Sequence, residues 1–151
     1  MRVGYSVSLV TGDVTIPAGS ADAALAAIRA LDRRDDLKTG WSRQQLRDGT
    51  FRERPHWSFT DPDEVEAAHT LADALRAFRF EPVLSPDDDI CGVALEGGTR
   101  SRGDEVHLWK ALAPFVKEGG EMVWLGEGDR VTRWSFDGDT LTVSDGPDLV
   151  D

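Results

Sequence analysis

The sequence predicts an α+β fold, a mainly antiparallel β-sheet with three helices packed on one face. Runs of period-two alternation open the chain and fill its last third, where the short turns "GEGD" and "DGD" suit hairpins. Three intervening stretches carry apolar residues at spacings of three and four, the stripe of an amphipathic helix. The element order, with strands in consecutive runs late in the chain, fits a sheet covered by helices rather than a parallel βαβ array. At 151 residues the chain fits one domain, and a chain of that size buries about 70% of its unfolded surface.

Residues 3–9 alternate Val3, Tyr5, Val7 and Leu9 against small polar residues, then the phase slips so that Val14 and Ile16 fall on even positions. The slip predicts either a hairpin or one long strand with a bulge at Gly12. Ser20 is a candidate N-cap for a helix over Ala21–Asp32, whose buried face would carry Ala24, Leu25, Ile28 and Leu31. Residues 33–55 lack clear periodicity and are assigned to a long basic loop, a kind of segment that often carries function. "HWSFT" then reads as a short strand. Asp61 and Pro62 begin a second helix with the stripe Val65, Ala68, Leu71, Leu75 and Phe78.

Phe80 to Leu84 and Ile90 to Leu95 read as a strand pair around the turn "SPDDD", and "GGTRSRG" at 97–103 as a loop. Asp104 would cap a third helix bearing Leu108, Leu112, Phe115 and Val116. A meander of strands at Met122–Leu125, Val131–Phe136 and Thr140–Val143 follows, completing a single domain over 1–143. Residues 144–151 are expected to form a flexible acidic tail. The segments "LADALRAF" and "LWKALAPF" echo one another, each after "DEV" and before two strands, so an internal duplication is one reading.

The net charge of −11 is unevenly distributed. Residues 1–56 hold nine basic and seven acidic residues, whereas 57–151 hold eight basic and 21 acidic. An acidic bulk of this kind repels polyanions and steers a basic protein partner, which disfavours ordinary nucleic-acid binding. The single cysteine, Cys91, excludes an internal disulfide and paired-cysteine metal sites; it is expected to be buried. The start of the chain lacks the unbroken apolar stretch of a signal peptide, and no run is long enough to span a membrane, so a cytoplasmic location is expected.

Motifs for chemistry are sparse. The glycines form neither GxGxxG nor GxxxxGK[ST], there is no GxSxG, and His56, His69 and His107 stand apart without metal-ligand spacing. Asp87, Asp88 and Asp89 lack the spacing of a calcium loop and suit a hairpin turn. No catalytic, metal or cofactor residue is assigned, and no cofactor is expected. "WSF" occurs at 57–59 and 134–136, where period two places both aromatic rings on one sheet face. The basic loop interleaves Trp41, Phe51 and Trp57 with Arg43, Arg47, Arg52 and Arg54 beside His56, a mixture resembling binding hot spots, which are enriched in Trp and Arg. Trp41, Arg43, Arg47, Arg52, Arg54, His56 and Trp57 are the candidate partner-binding set.

The string "LWKALAPFVKEGGEMVWLGEGDRVTRWSFDGDTL", with "RALDRRDDLKTG" at 29–40, resembles small acidic accessory proteins of high-GC bacteria and their phages. The resemblance covers about two thirds of the chain in structural residues and implies an accessory role without transferring any catalytic residue. "GTRSRGDEV" and "RDGTFRER" set this chain apart from that pattern. The expected function is a non-enzymatic protein-binding module of the accessory, inhibitor or immunity type. The alternatives are a small hydrolase or transferase using His56 with a nearby carboxylate, and nucleic-acid binding with Arg47, Arg52 and Arg54 on one face.

Overall fold

The phase slip near the N-terminus is a bulge in one continuous strand. In the computed structural model, which describes residues 6–58, 60–96, 99–101 and 104–145, β1 runs Ser6–Asp13 and pairs antiparallel with β7 (Glu121–Gly126). Leu9 faces Trp124 and Thr11 faces Val123, so Val10 is the extra residue and projects outward at 60% exposure. The bulge is therefore at Val10 rather than Gly12, and it moves the inward set from odd to even positions, burying Val14 and Ile16. Gly12 is required for a different reason: a Cβ there would lie 2.1 Å from the Val93 carbonyl oxygen, where a second hairpin crosses β1.

The main sheet is antiparallel throughout, in the order β6-β1-β7-β8-β9, with β6 at Thr99–Ser101, β8 at Val131–Phe136 and β9 at Leu141–Asp145. Met122 pairs with Trp134 and Trp124 with Thr132, so these four share one face with Phe136, and all five are buried. Against them lie α1 (Ala21–Leu31), α2 (Pro62–Ala67), α3 (Leu71–Ala77) and α4 (Glu105–Leu112), whose stripe residues belong to the same apolar core. Trp109 of α4 meets Phe80 and Phe136 edge-on at 5.4 and 6.2 Å, and Trp124 lies 5.1 Å from Trp134. Burial of rings this large contributes several kcal/mol each at about 25 cal/mol per Å².

The α+β class stands, with four α-helices where three were expected. The helix anticipated from Asp61 to Phe78 breaks at Ala68, which adopts an extended conformation while Thr70 caps a new start by accepting from Asp73 N at 3.1 Å. Arg29 of α1 donates to the Ala68 carbonyl freed by the break. The apolar stripe survives the interruption: Val65, Ala68, Leu71, Leu75 and Phe78 are all buried. Asp61 caps α2 as expected, accepting from Asp63 N at 2.9 Å.

Two other expected caps are corrected. Ser20 makes no side-chain cap bond, because it is already helical and ends a 3-10 turn over Ala18–Ser20; Asp89 instead accepts from Ala18 N at 2.7 Å. Asp104 precedes α4 without capping it, its carboxylate being engaged elsewhere. The pair β4 (Phe80–Leu84) and β5 (Ile90–Leu95) forms a separate two-stranded sheet joined to the end of β1 through the bridge Ile16–Ile90. Cys91 is exposed rather than buried, because the register slips from Val83–Gly92 to Leu84–Ile90 and leaves it as the extra residue of a bulge in β5. The two echoing helices thus feed strands into different sheets.

The segment assigned to a basic loop is an ordered hairpin of β2 (Gly40–Gln45) and β3 (Phe51–His56), entered through a 3-10 turn at Asp35–Leu37. "HWSFT" is correspondingly not a strand, because β3 ends at His56 and Trp57 turns into the core at 1% exposure. Trp57 and Ser58 of the first "WSF" lie beyond β3, whereas the second "WSF" lies within β8. Phe59, Val3, Tyr5, Gly97, Gly98 and Gly103, and the tail from 146 onward, lie outside the described residues; residues 144 and 145 belong to β9.

Candidate interaction site

The β2–β3 hairpin owes its turn to "LRDGT". Leu46 N donates to Thr50 O at 2.7 Å, Gly49 takes φ +88°, and Asp48 accepts from the Thr50 amide and hydroxyl at 3.0 and 2.6 Å. Those two donors, the hydroxyl foremost, hold the Asp48 carboxyl below the usual aspartate range. Asp48-Gly49 is a recognised hairpin signal, and it was the available clue to this element. At the open end Gly40 faces His56, whose ring occupies the space of a glycine Cβ, with the nearest ring atom 2.5 Å from that position.

Almost every residue of β2 and the first half of β3 is exposed, so both faces stand clear of the core. An isolated two-stranded hairpin is marginal in water, and this one is fastened at its base. Thr39 N and Oγ1 donate to the buried Asp104 carboxylate at 3.0 and 2.9 Å, Ser58 N donates to it at 3.0 Å, and Asp104 N donates to Ser58 Oγ at 2.8 Å. One carboxylate thus ties the residue before β2 and the second residue after β3 to the start of α4. Beside it Trp57 Nε1 donates to Asp32 at 2.9 Å, and the Lys38 ammonium lies 5.5 Å over the Trp57 ring while donating to Asp35 at 2.7 Å.

Strand register divides the hairpin into two faces. One carries Trp41, Arg43 and Gln45 with Phe51, Glu53 and Pro55; the other carries Ser42 and Gln44 with Arg52, Arg54 and His56. On the first, Trp41 and Phe51 are 60% and 53% exposed, and the Arg43 guanidinium sits 4.3 Å over the Phe51 ring. On the second, Arg54 donates to Asp63 at 2.9 Å and Glu66 at 2.7 Å, contacts that raise its pKa further above the ordinary arginine value. Arg52 Nε donates to Gln44, and Arg47 lies in the turn.

The seven sequence candidates are therefore not one surface. Trp41 and Arg43 share a face, Arg52, Arg54 and His56 share the other, Arg47 is at the tip, and Trp57 is interior. Phe51, which the sequence placed among the interleaved aromatics but not in the candidate set, completes the aromatic face beneath Arg43. His56 borders an open concavity of about 560 Å³ with Ser42, Arg54, Asp61 and Asp63. Its Nδ1 donates to the Trp57 carbonyl at 2.8 Å, and no carboxylate orients the ring among the described residues.

Arg52 and Arg54 share a face, as the nucleic-acid alternative requires, but two carboxylates neutralise Arg54. Asp87–Asp89 form a turn around Ser85, and no cluster of three metal-ligating side chains occurs among the described residues. Nor is any helix among those residues long and apolar enough to cross a membrane. Comparisons with protein-family models, curated proteins and solved structures yield no match to this chain.

Proposed function

We propose that this chain is a non-enzymatic protein-binding module, of the accessory, inhibitor or immunity type, that works in the cytoplasm and engages its partner through the β2–β3 hairpin. The observation that carries the reading is the pair Trp41 and Phe51, more than half exposed on the hairpin face opposite the one that Arg54 ties to α2. Large rings left in water on an ordered strand are the anchors from which interface hot spots are built. Arg43 adds a guanidinium already positioned over one ring. The accessory-type resemblance points the same way. The acidic remainder of the chain steers a basic surface of the partner at long range.

Capture from the native host tests this reading. The chain should retain a specific protein that Trp41→Ala/Phe51→Ala loses while keeping the parental melting temperature, since both side chains are exposed. Equal capture by the double variant would place the interface elsewhere. Trp41 also supplies a direct signal, because the other four tryptophans, Trp57, Trp109, Trp124 and Trp134, are buried at 0–3% exposure. Partner binding should protect the acrylamide-quenchable fraction of tryptophan emission.

A further inference from the structure

Resting on that reading, we infer that the segment seated on the hairpin is an extended acidic strand of the partner protein, which adds to the open edge of β2 and sets a carboxylate against Arg43. The hairpin, residues 40–56, carries four arginines against Asp48 and Glu53, a net of +2 in a chain of −11. Of the four, Arg54 lies 2.9 Å from the Asp63 carboxylate and 2.7 Å from that of Glu66. Among the described residues, Arg43, Arg47 and Arg52 make no such pair, although the chain holds 28 acidic residues. The local charge left unneutralised is positive, so the complementary ligand is anionic.

The backbone selects the form of that ligand. β2 is a six-residue strand without proline, paired on one side only. β3 contains Pro55, which has no N–H to offer, and Arg54 draws β3 toward α2. Among the described residues the main sheet ends in the three-residue β6 and in β9, which lies in the acidic part of the chain. A strand added along β2 gains main-chain hydrogen bonds, and its alternate side chains fall beside Trp41 and Arg43. An apolar residue against the indole and a carboxylate two positions away, against the guanidinium, match that spacing. Phosphodiester chains fit less well. One face of Phe51 is already occupied by Arg43, leaving less ring surface for base stacking.

The probes are fluorescein-labelled short peptides alternating glutamate or lysine with valine, and a single-stranded DNA oligonucleotide of similar length. The glutamate peptide should bind in low salt, shield Trp41 from acrylamide and slow amide exchange along β2. Arg43→Glu should weaken it at least about tenfold and reverse the preference toward the lysine peptide, with Arg43→Gln in between. No saturation by the glutamate peptide up to about 1 mM, the range of the weakest specific contacts, would overturn the inference. Tighter binding of the oligonucleotide would overturn it in favour of nucleic acid, and concentration-dependent self-association abolished by Arg43→Glu in favour of a second copy. If the glutamate peptide fails while Trp41→Ala/Phe51→Ala still loses the captured protein, the binding-module reading survives and only the ligand chemistry falls. If the peptide binds but capture is indifferent to the double variant, the reverse holds.

Discussion

Replacing Asp104 should release the hairpin from the body before the body itself unfolds. Its carboxylate accepts from Thr39 N, Thr39 Oγ1 and Ser58 N at 2.9–3.0 Å, and the residue is 4% exposed. A hydrogen bond to a charged acceptor contributes roughly 1.5–3 kcal/mol, but three on one group are not additive. Thr39 is exposed, so water can satisfy its donors, whereas the half-buried Ser58 amide is harder to hydrate. Asp104→Ala is therefore expected to cost about 2–4 kcal/mol.

Asn at the same position can keep one oxygen on the two amides and turn its NH2 toward the Thr39 hydroxyl. That variant should cost only about 1 kcal/mol, the difference between a charged and a neutral acceptor. Urea titration gives the global term, and amide exchange over 40–56 gives the local one, with faster exchange in the hairpin than in β7 or β8 expected for Asp104→Ala. If that variant matches the parent in both measurements, the carboxylate is not what holds the hairpin. If Asn and Ala cost the same, the retained hydrogen bonds are not the reason.

Leu75 and Leu112 are fully buried in α3 and α4, so Leu75→Ala and Leu112→Ala should each lose about 2–5 kcal/mol in denaturant unfolding; unchanged midpoints would contradict the helix-on-sheet packing. Gly12→Ala should destabilise by about 1–3 kcal/mol or more, because the added methyl meets the Val93 backbone rather than a yielding side chain; thermal melting would show it, and a neutral result would refute the close crossing. Asp48 should titrate below the ordinary aspartate range, with Thr50→Val raising its pKa toward normal in a carboxyl NMR titration. Because the folded pKa is depressed, its contribution to the turn is complete above the unfolded aspartate range and is lost as pH falls through the lower folded value. No change on Thr50→Val would remove the hydroxyl as the cause.

Local patterns in the sequence determined much of this protein. Alternation in "RVTRWSF" assigned β8 and its buried Trp134 and Phe136, and the slip between Leu9 and Val14 announced a change of face, by hairpin or bulge, because a period of two reports directly which side of a strand faces the core. The stripe from Val65 to Phe78 named the buried residues correctly even though the helix breaks between them, since burial depends on the face and not on continuity. Asp48-Gly49 was legible too, but the flanking "GWSRQQ" and "FRERPH" lack the apolar alternation that marks a strand, because neither face of this hairpin covers a core.

Only the tertiary structure decided which members of the Arg- and Trp-bearing segment remain available. Trp41 and Trp57 look alike as sequence, yet Asp32 and Lys38 receive the second inside the fold while the first stays in water. Arg43 and Arg54 differ in the same way, one resting on Phe51 and the other held by Asp63 and Glu66. These distinctions rest on neighbours eight to 25 residues away in the chain, brought near by strand register and by helices whose positions the core sets. Asp104 shows the same principle. Its position suggested an ordinary helix cap, and the approach of Thr39 and Ser58, 65 and 46 residues away, made it the fastening of the candidate binding element.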